Sequence, residues 1–140
     1  MNEIRLAFAV NGQGGFEKRH FGDSDKFLIY ELHEGKVVSV NAEENIFKDI
    51  DETHSHGSKK KGQEIVKFLK NKGVKALVSK QFGRNIKMIN QHFVPVITNA
   101  ENVDEVLIYL PEHLDVIISY ITQKPESYKL VDLRKKNNET

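Results

Sequence analysis

The sequence predicts an α/β domain built on a mixed sheet, and three observations carry that prediction. Residues 26–32 (KFLIYEL) and 36–41 (KVVSVN) flank His33-Glu34-Gly35, two strand-like runs around a short glycine-bearing turn, which is the pattern of an antiparallel hairpin. Residues 74–79 and 94–98 are apolar runs of strand length separated by a helical stretch bearing Ile86 and Ile89. Such a unit requires a parallel pair with a right-handed crossover. Between hairpin and crossover, Ile65, Phe68 and Leu69 recur at helical spacing with Lys67, Lys70 and Lys72 outward.

Taken in order, residues 4–10 are mostly apolar and run into Asn11-Gly12-Gln13-Gly14-Gly15, a buried strand ending in a glycine loop. After the hairpin, residues 42–61 lack a long periodic run, so they are expected as a loop longer than most in compact domains, with the first helix starting near Lys61. Asn71-Lys72-Gly73 gives that helix a basic end and a glycine stop. Phe82-Gly83-Arg84-Asn85 reads as a turn into the crossover helix. Asn102, with Glu105 three residues on, caps a final helix. There Val103, Leu107, Leu110, Leu114, Ile117 and Ile121 form a narrow apolar seam interrupted by Pro111. Either the helix kinks at Pro111, or a second helix starts with Pro111 in its first turn. The seam has two readings, packing on the chain's own sheet, which is the commoner outcome, or a homodimer contact. Residues 1–122 are expected as one domain and 123–140 as a tail, in which 128–133 has the composition of an edge strand and 134–140 frays.

Composition narrows the function classes. At 140 residues a single domain buries about 70% of its unfolded surface. An apolar fraction of 39%, a charged fraction of 29% and a mean hydropathy of -0.50 describe a soluble globular chain. No run approaches the twenty apolar residues of a spanning helix, and no signal-peptide pattern opens the chain, so a cytoplasmic location and no membrane partner are expected. Twenty-one Lys and Arg against 20 Asp and Glu give no electrostatic argument for nucleic acid. The absence of cysteine removes thiolate nucleophiles, thiolate zinc sites and cysteine-ligated clusters together.

The motifs are few. Gly12-x-Gly14-Gly15 follows a strand, but Glu17 stands where a dinucleotide fingerprint needs its third glycine, and no helix opens there. His20-Phe21-Gly22-Asp23-Ser24-Asp25 places an imidazole at the mouth of that loop, where it is suited to a metal or an anion, with Asp23 or Asp25 available to orient it. A partly buried structural histidine is the commoner role. His54-Ser55-His56 puts two imidazoles on one side of an extended chain, the arrangement that grips one cation, although such a pair in a polar loop is usually plain surface. Lys59, Lys60 and Lys61 form a basic corner at the start of the helix, again more often solvated surface than a site. No nucleophile elbow, Walker loop or H-E-x-x-H is present, so no catalytic residue is assigned and a non-catalytic role is expected.

The succession of strand, glycine loop, His20-Phe21-Gly22 with Phe27, hairpin, loop with His56-Gly57, Gly62 and Gly83-Arg84-Asn85 resembles the dinitrogenase iron-molybdenum cofactor biosynthesis family, the NifX-like domain, to about Leu110. The resemblance implies a ribonuclease H-like three-layer fold with a five-stranded mixed sheet, its first strand between the hairpin and the parallel pair. It implies no nuclease, since the polar end of the first strand has Asn11 where a metal-binding carboxylate would stand. It further implies a carrier of the iron-molybdenum cofactor or an iron-sulfur precursor, or of a related anionic ligand, working with cofactor-assembly proteins. Carried onto this chain, the family's histidine falls on His20 and its His-Gly loop on His56-Gly57. With no cysteine, metal ligation would rest on His20, His54 and His56, and the cleft around it on Gly12, Gly14, Arg19, Lys59, Lys60 and Arg84. Such ligation would hold cargo loosely. The alternative is a regulatory or assembly module that dimerises through the helical seam, with the histidines solvated.

Overall fold

The structure is a computed structural model and describes residues 4–50 and 57–134. Six strands form one mixed sheet in the order β3-β2-β1-β4-β5-β6. Strand β1 (Ile4–Val10) pairs antiparallel with β2 (Lys26–His33), which pairs antiparallel with β3 (Lys36–Glu44). On its other side β1 is parallel to β4 (Val74–Ser79), then β5 (Val94–Ile97) and β6 (Val131–Asp132) continue in parallel. The first strand therefore lies between hairpin and parallel pair, as expected. The count of five does not hold, because Val131–Asp132 adds a sixth strand beside β5.

Within residues 123–140, Val131 is 7% and Leu133 4% exposed, and both belong to the first core. Burying those two side chains contributes on the order of 1.5 to 3 kcal/mol each, enough to hold a two-residue strand in place.

Alternation along the strands sends residues to two faces, and each face is covered by helices. Leu6, Phe8 and Val10 of β1 point to one core, and Ala7 and Ala9 to the other. The second core is closed by α1 (Gly57–Asn71), through Ile65, Val66 and Leu69, and by α2 (Ile86–Ile89). The first is closed by α3 (Val103–Tyr109) and α4 (Leu114–Gln123). This is a three-layer arrangement, with β1 buried on both faces.

The limits of β3 and α1 differ from the pattern reading. Strand β3 extends to Glu44 and α1 begins at Gly57, so the loop expected over 42–61 shrinks from both ends. Lys59 to Lys61 consequently lie inside α1 and not ahead of it. At Pro111 the first helix has ended, at Tyr109, but the second starts only at Leu114: a 3-10 turn over Leu110–His113, with Pro111 in its opening positions, joins α3 to α4. The seam nonetheless stays on one side, and Val103, Leu110, Leu114 and Ile117 are buried in the chain's own first core. Leu107 and Ile121 of the same seam are partly buried and pack against that core. Asn102 caps α3 as predicted, accepting from the Glu105 amide at 3.0 Å. No helix among the described residues is long and apolar enough to cross a membrane.

Candidate functional site

At the C-terminal ends of the parallel strands β1 and β4, where open α/β sheets carry their ligands, the chain makes a 3-10 turn over Phe21–Asp23 capped by His20. Phe21 is fully buried and anchors the turn in the second core. Its amide donates to the Gln81 carbonyl just past β4 at 3.1 Å, and the Ser24 hydroxyl donates to the Phe21 carbonyl at 2.8 Å. Asn45, 7% exposed, clamps the turn from the hairpin side by donating to the carbonyls of Gly22 and Ser24 at 3.0 and 2.9 Å.

Three titratable groups meet there. His20 Nδ1 accepts from the Gly22 amide at 3.2 Å, and His20 Nε2 lies 3.2 Å from Asp23 Oδ2. Because Nδ1 must hold the lone pair, the neutral ring carries its proton on Nε2 and donates it to Asp23. The other carboxylate oxygen of Asp23 accepts from Lys61 Nζ at 2.9 Å. Lys61 is the unusual member: its side chain is 3% exposed, although lysine is almost never fully buried unless paired. Burial works against charge on Asp23, but the Lys61 hydrogen bond and the neighbouring His20, Lys61 and Arg19 outweigh it and hold the carboxyl below its ordinary value. Of the two aspartates available to orient His20, geometry selects Asp23. Asp25 is engaged elsewhere, with Lys48 and with the Gly12 amide.

The ring is packed by missing side chains. A Cβ on Gly22 would sit 3.1 Å from His20 ring atoms and 3.3 Å from Lys61 Cε, and one on Gly83 would sit 3.3 Å from His20 Cβ. Gly83 also has φ +64°, a conformation costly for other residues. The turn bearing Arg84 thus rests against His20, with Arg84 exposed. Gly62 likewise permits a close approach farther from the ring, since a Cβ there would meet Asn85 Nδ2 at 2.7 Å.

The other predicted residues are placed as follows. Arg19 is 61% exposed but forms a two-pronged pair with the buried Glu17, Nε to Oε2 at 3.1 Å and Nη2 to Oε1 at 3.2 Å. Burial opposes charge on Glu17, and the side-chain and backbone hydrogen bonds of Arg19 prevail and lower its pKa. The Gly12 amide is taken by Asp25 at 2.7 Å and the Gly14 amide by the Asn11 carbonyl at 3.3 Å, so the glycine loop directs these donors into its own turn. The basic corner is divided: Lys61 points inward, Lys60 is exposed, and Lys59 lines a groove between α1 and α2. His54 and His56 lie outside the described residues. Among the described residues no three His, Asp or Glu side chains converge as a metal-holding group. Pattern reading missed Glu17, Asn45 and the burial of Lys61. The available signal was the glycine at Gly62 immediately after Lys61, which marks a close approach along that helix face.

Comparison with known proteins agrees with this fold. No curated protein matches the chain. Among solved structures, it is similar to the crystal structure of a candidate dinitrogenase from Methanocaldococcus jannaschii, with 20% identity over 80% of this chain and 90% of that one and a TM-score of 0.55. At that identity the likeness concerns the fold. The family model described as dinitrogenase iron-molybdenum cofactor matches residues 2–110, which span β1 through α3 and include His20, Asp23, Lys61 and Arg84. The chain therefore belongs to the dinitrogenase iron-molybdenum cofactor family.

Proposed function

We propose that this protein is a non-catalytic carrier that takes up a metal cofactor, the iron-molybdenum cofactor or an iron-sulfur precursor of it, and passes it on. The observation that carries this reading is His20, an imidazole 27% exposed and held from behind by the buried Asp23-Lys61 pair. A histidine oriented by a carboxylate is the usual form of an imidazole metal ligand.

In the structure both ring nitrogens are engaged, so cargo reaching the Nδ1 lone pair must displace the Gly22 amide, while Nε2 keeps its proton and its contact with Asp23. Binding competes with a closed, self-satisfied state. That competition lowers affinity and favours release, which a carrier requires. Arg84, and Arg19 to the extent that Glu17 leaves its charge unbalanced, supply positive potential for an anionic cluster. His54 and His56 would complete the ligand set together with His20. The flanking Gly12, Gly14, Lys59 and Lys60 contribute less, through loop shape and long-range charge. A ribonuclease H-like description of the fold goes with this reading, supported by the central β1 flanked by an antiparallel hairpin and a parallel pair. So does a cytoplasmic location beside cofactor-assembly proteins.

The test is anaerobic titration of wild type, His20→Ala and the double variant His54→Ala/His56→Ala with isolated iron-molybdenum cofactor, read by the paramagnetic resonance of the cluster and by co-elution. Loss of at least about tenfold in affinity for His20→Ala, roughly the 1.4 kcal/mol that defines one decade, is expected. Wild-type affinity in that variant would refute the role given to His20.

A further inference from the structure

Between α1 and α2, a groove of about 530 Å³ opens on the outer surface of the second helical layer. Its floor is apolar, with Val66 only 5% exposed and Met88 half-buried. Four lysines rim it: Lys59, Lys67 and Lys70 from α1, and Lys87 from α2. The described residues that line it include no aspartate or glutamate. On α1 the lining extends from Lys59 to Lys70, which at a rise of 1.5 Å per residue makes a trench roughly 16 Å long. Three turns of a helix fit that length.

This arrangement opposes the chain's own stability. Lys67 and Lys70 are neighbours on the helix surface, where like charges repel. Lys70 Nζ lies 3.4 Å from His92 Nδ1, and burial together with that ammonium holds the His92 ring below its ordinary pKa, so it answers the lysines with a lone pair and not with a negative charge. A chain that is nearly neutral overall therefore keeps a cationic rim, with no carboxylate among its described lining residues, over an apolar floor. The rim ammoniums are on flexible stems, which are poor at fixing one small anion but well suited to spaced carboxylates.

We infer that the groove between α1 and α2 docks an acidic amphipathic helix of a partner protein, apolar side chains on Val66 and Met88 and carboxylates on the lysine rims. Charge complementarity selects this occupant over a second copy of the chain, whose own helix face here carries the same lysines. The mode is helix-in-groove recognition, with anchors one helical turn apart. It is independent of the cargo reading at His20.

The experiment uses the full chain and a fluorescein-labelled synthetic peptide of three to four helical turns with Leu on one face and Glu on the other. Anisotropy should report binding that weakens as salt rises. The double variant Lys67→Glu/Lys70→Glu should weaken it about tenfold, since two attractive exposed pairs become repulsive ones. Lys36→Glu/Lys129→Glu, the same charge change away from the groove, should leave it within about twofold, with circular dichroism confirming that both variants are folded. If the peptide with every Glu replaced by Gln binds equally well, or if Lys67→Glu/Lys70→Glu binds like wild type, the inference is overturned. Displacement of the peptide by equimolar inorganic phosphate would overturn it too, by assigning the groove to a small anion.

Discussion

Replacing Lys61 by Met tests whether the site is held by a buried ion pair. The ammonium lies 2.9 Å from Asp23 Oδ1, with side-chain exposures of 3% and 18% for the two partners. At that separation and an effective dielectric of about 20, the gross attraction is about 6 kcal/mol, and desolvation of both groups offsets much of it. Removing one partner of a fully buried pair costs about 3 to 5 kcal/mol. Asp23 keeps some solvent and its His20 contact, so Lys61→Met is expected to cost about 2 to 3 kcal/mol at pH 7, measured by urea unfolding. The sign of the pH dependence follows from the depressed pKa of Asp23. A carboxyl lowered in the folded state stabilises above its unfolded pKa, near 4, and loses that contribution as pH falls through the lower folded value. The gap between wild type and Lys61→Met should therefore narrow below pH 4. In Asp23→Asn the same lysine substitution should cost less, because the pair is already broken. A gap under about 0.5 kcal/mol at pH 7, the range of an ordinary surface change, or one that is the same at pH 7 and pH 3, would refute the ion-pair account.

The remaining predictions concern packing. Gly62→Ala places a Cβ 2.7 Å from Asn85 Nδ2 and should destabilise by about 1 to 3 kcal/mol, and Asn85→Ala in the same chain should restore most of the loss. Gly83→Ala adds left-handed strain at φ +64° and a contact with His20 Cβ, so a stability loss of about 1 to 2 kcal/mol should come with a changed His20 ring signal in NMR. Leu133→Ala, in the segment that sequence patterning assigns to a tail, should cost about 2 to 3 kcal/mol in urea unfolding. A change within about 0.5 kcal/mol would show that β6 is not part of the folded sheet.

Most of the element order was legible because it rests on short-range patterns. The hairpin shows in two strand runs around Glu34-Gly35, the crossover in apolar runs of strand length, and the α3 cap in Asn102 with Glu105. Boundaries were less legible where polar residues continue a regular element. Ala42 to Glu44 extend an exposed edge strand, and Gly57 to Lys60 extend a helix whose apolar face begins only later, so neither shows the periodicity that burial imposes. The sixth strand was foreseen as an edge candidate yet assigned to the tail, since two residues beside β5 carry too little pattern to place them.

For the candidate site, the sequence by itself determined the family, the histidine and the absence of thiolate ligands, because these are matters of residue identity and order. Tertiary structure alone decided which charges act together. Lys59, Lys60 and Lys61 are indistinguishable in sequence, but successive residues on a helix point about 100° apart. One consequently lines a groove, one faces solvent, and the third enters the core to meet an aspartate 38 positions away. Folding sets burial, and burial converts one surface charge of three into a fixed support for His20.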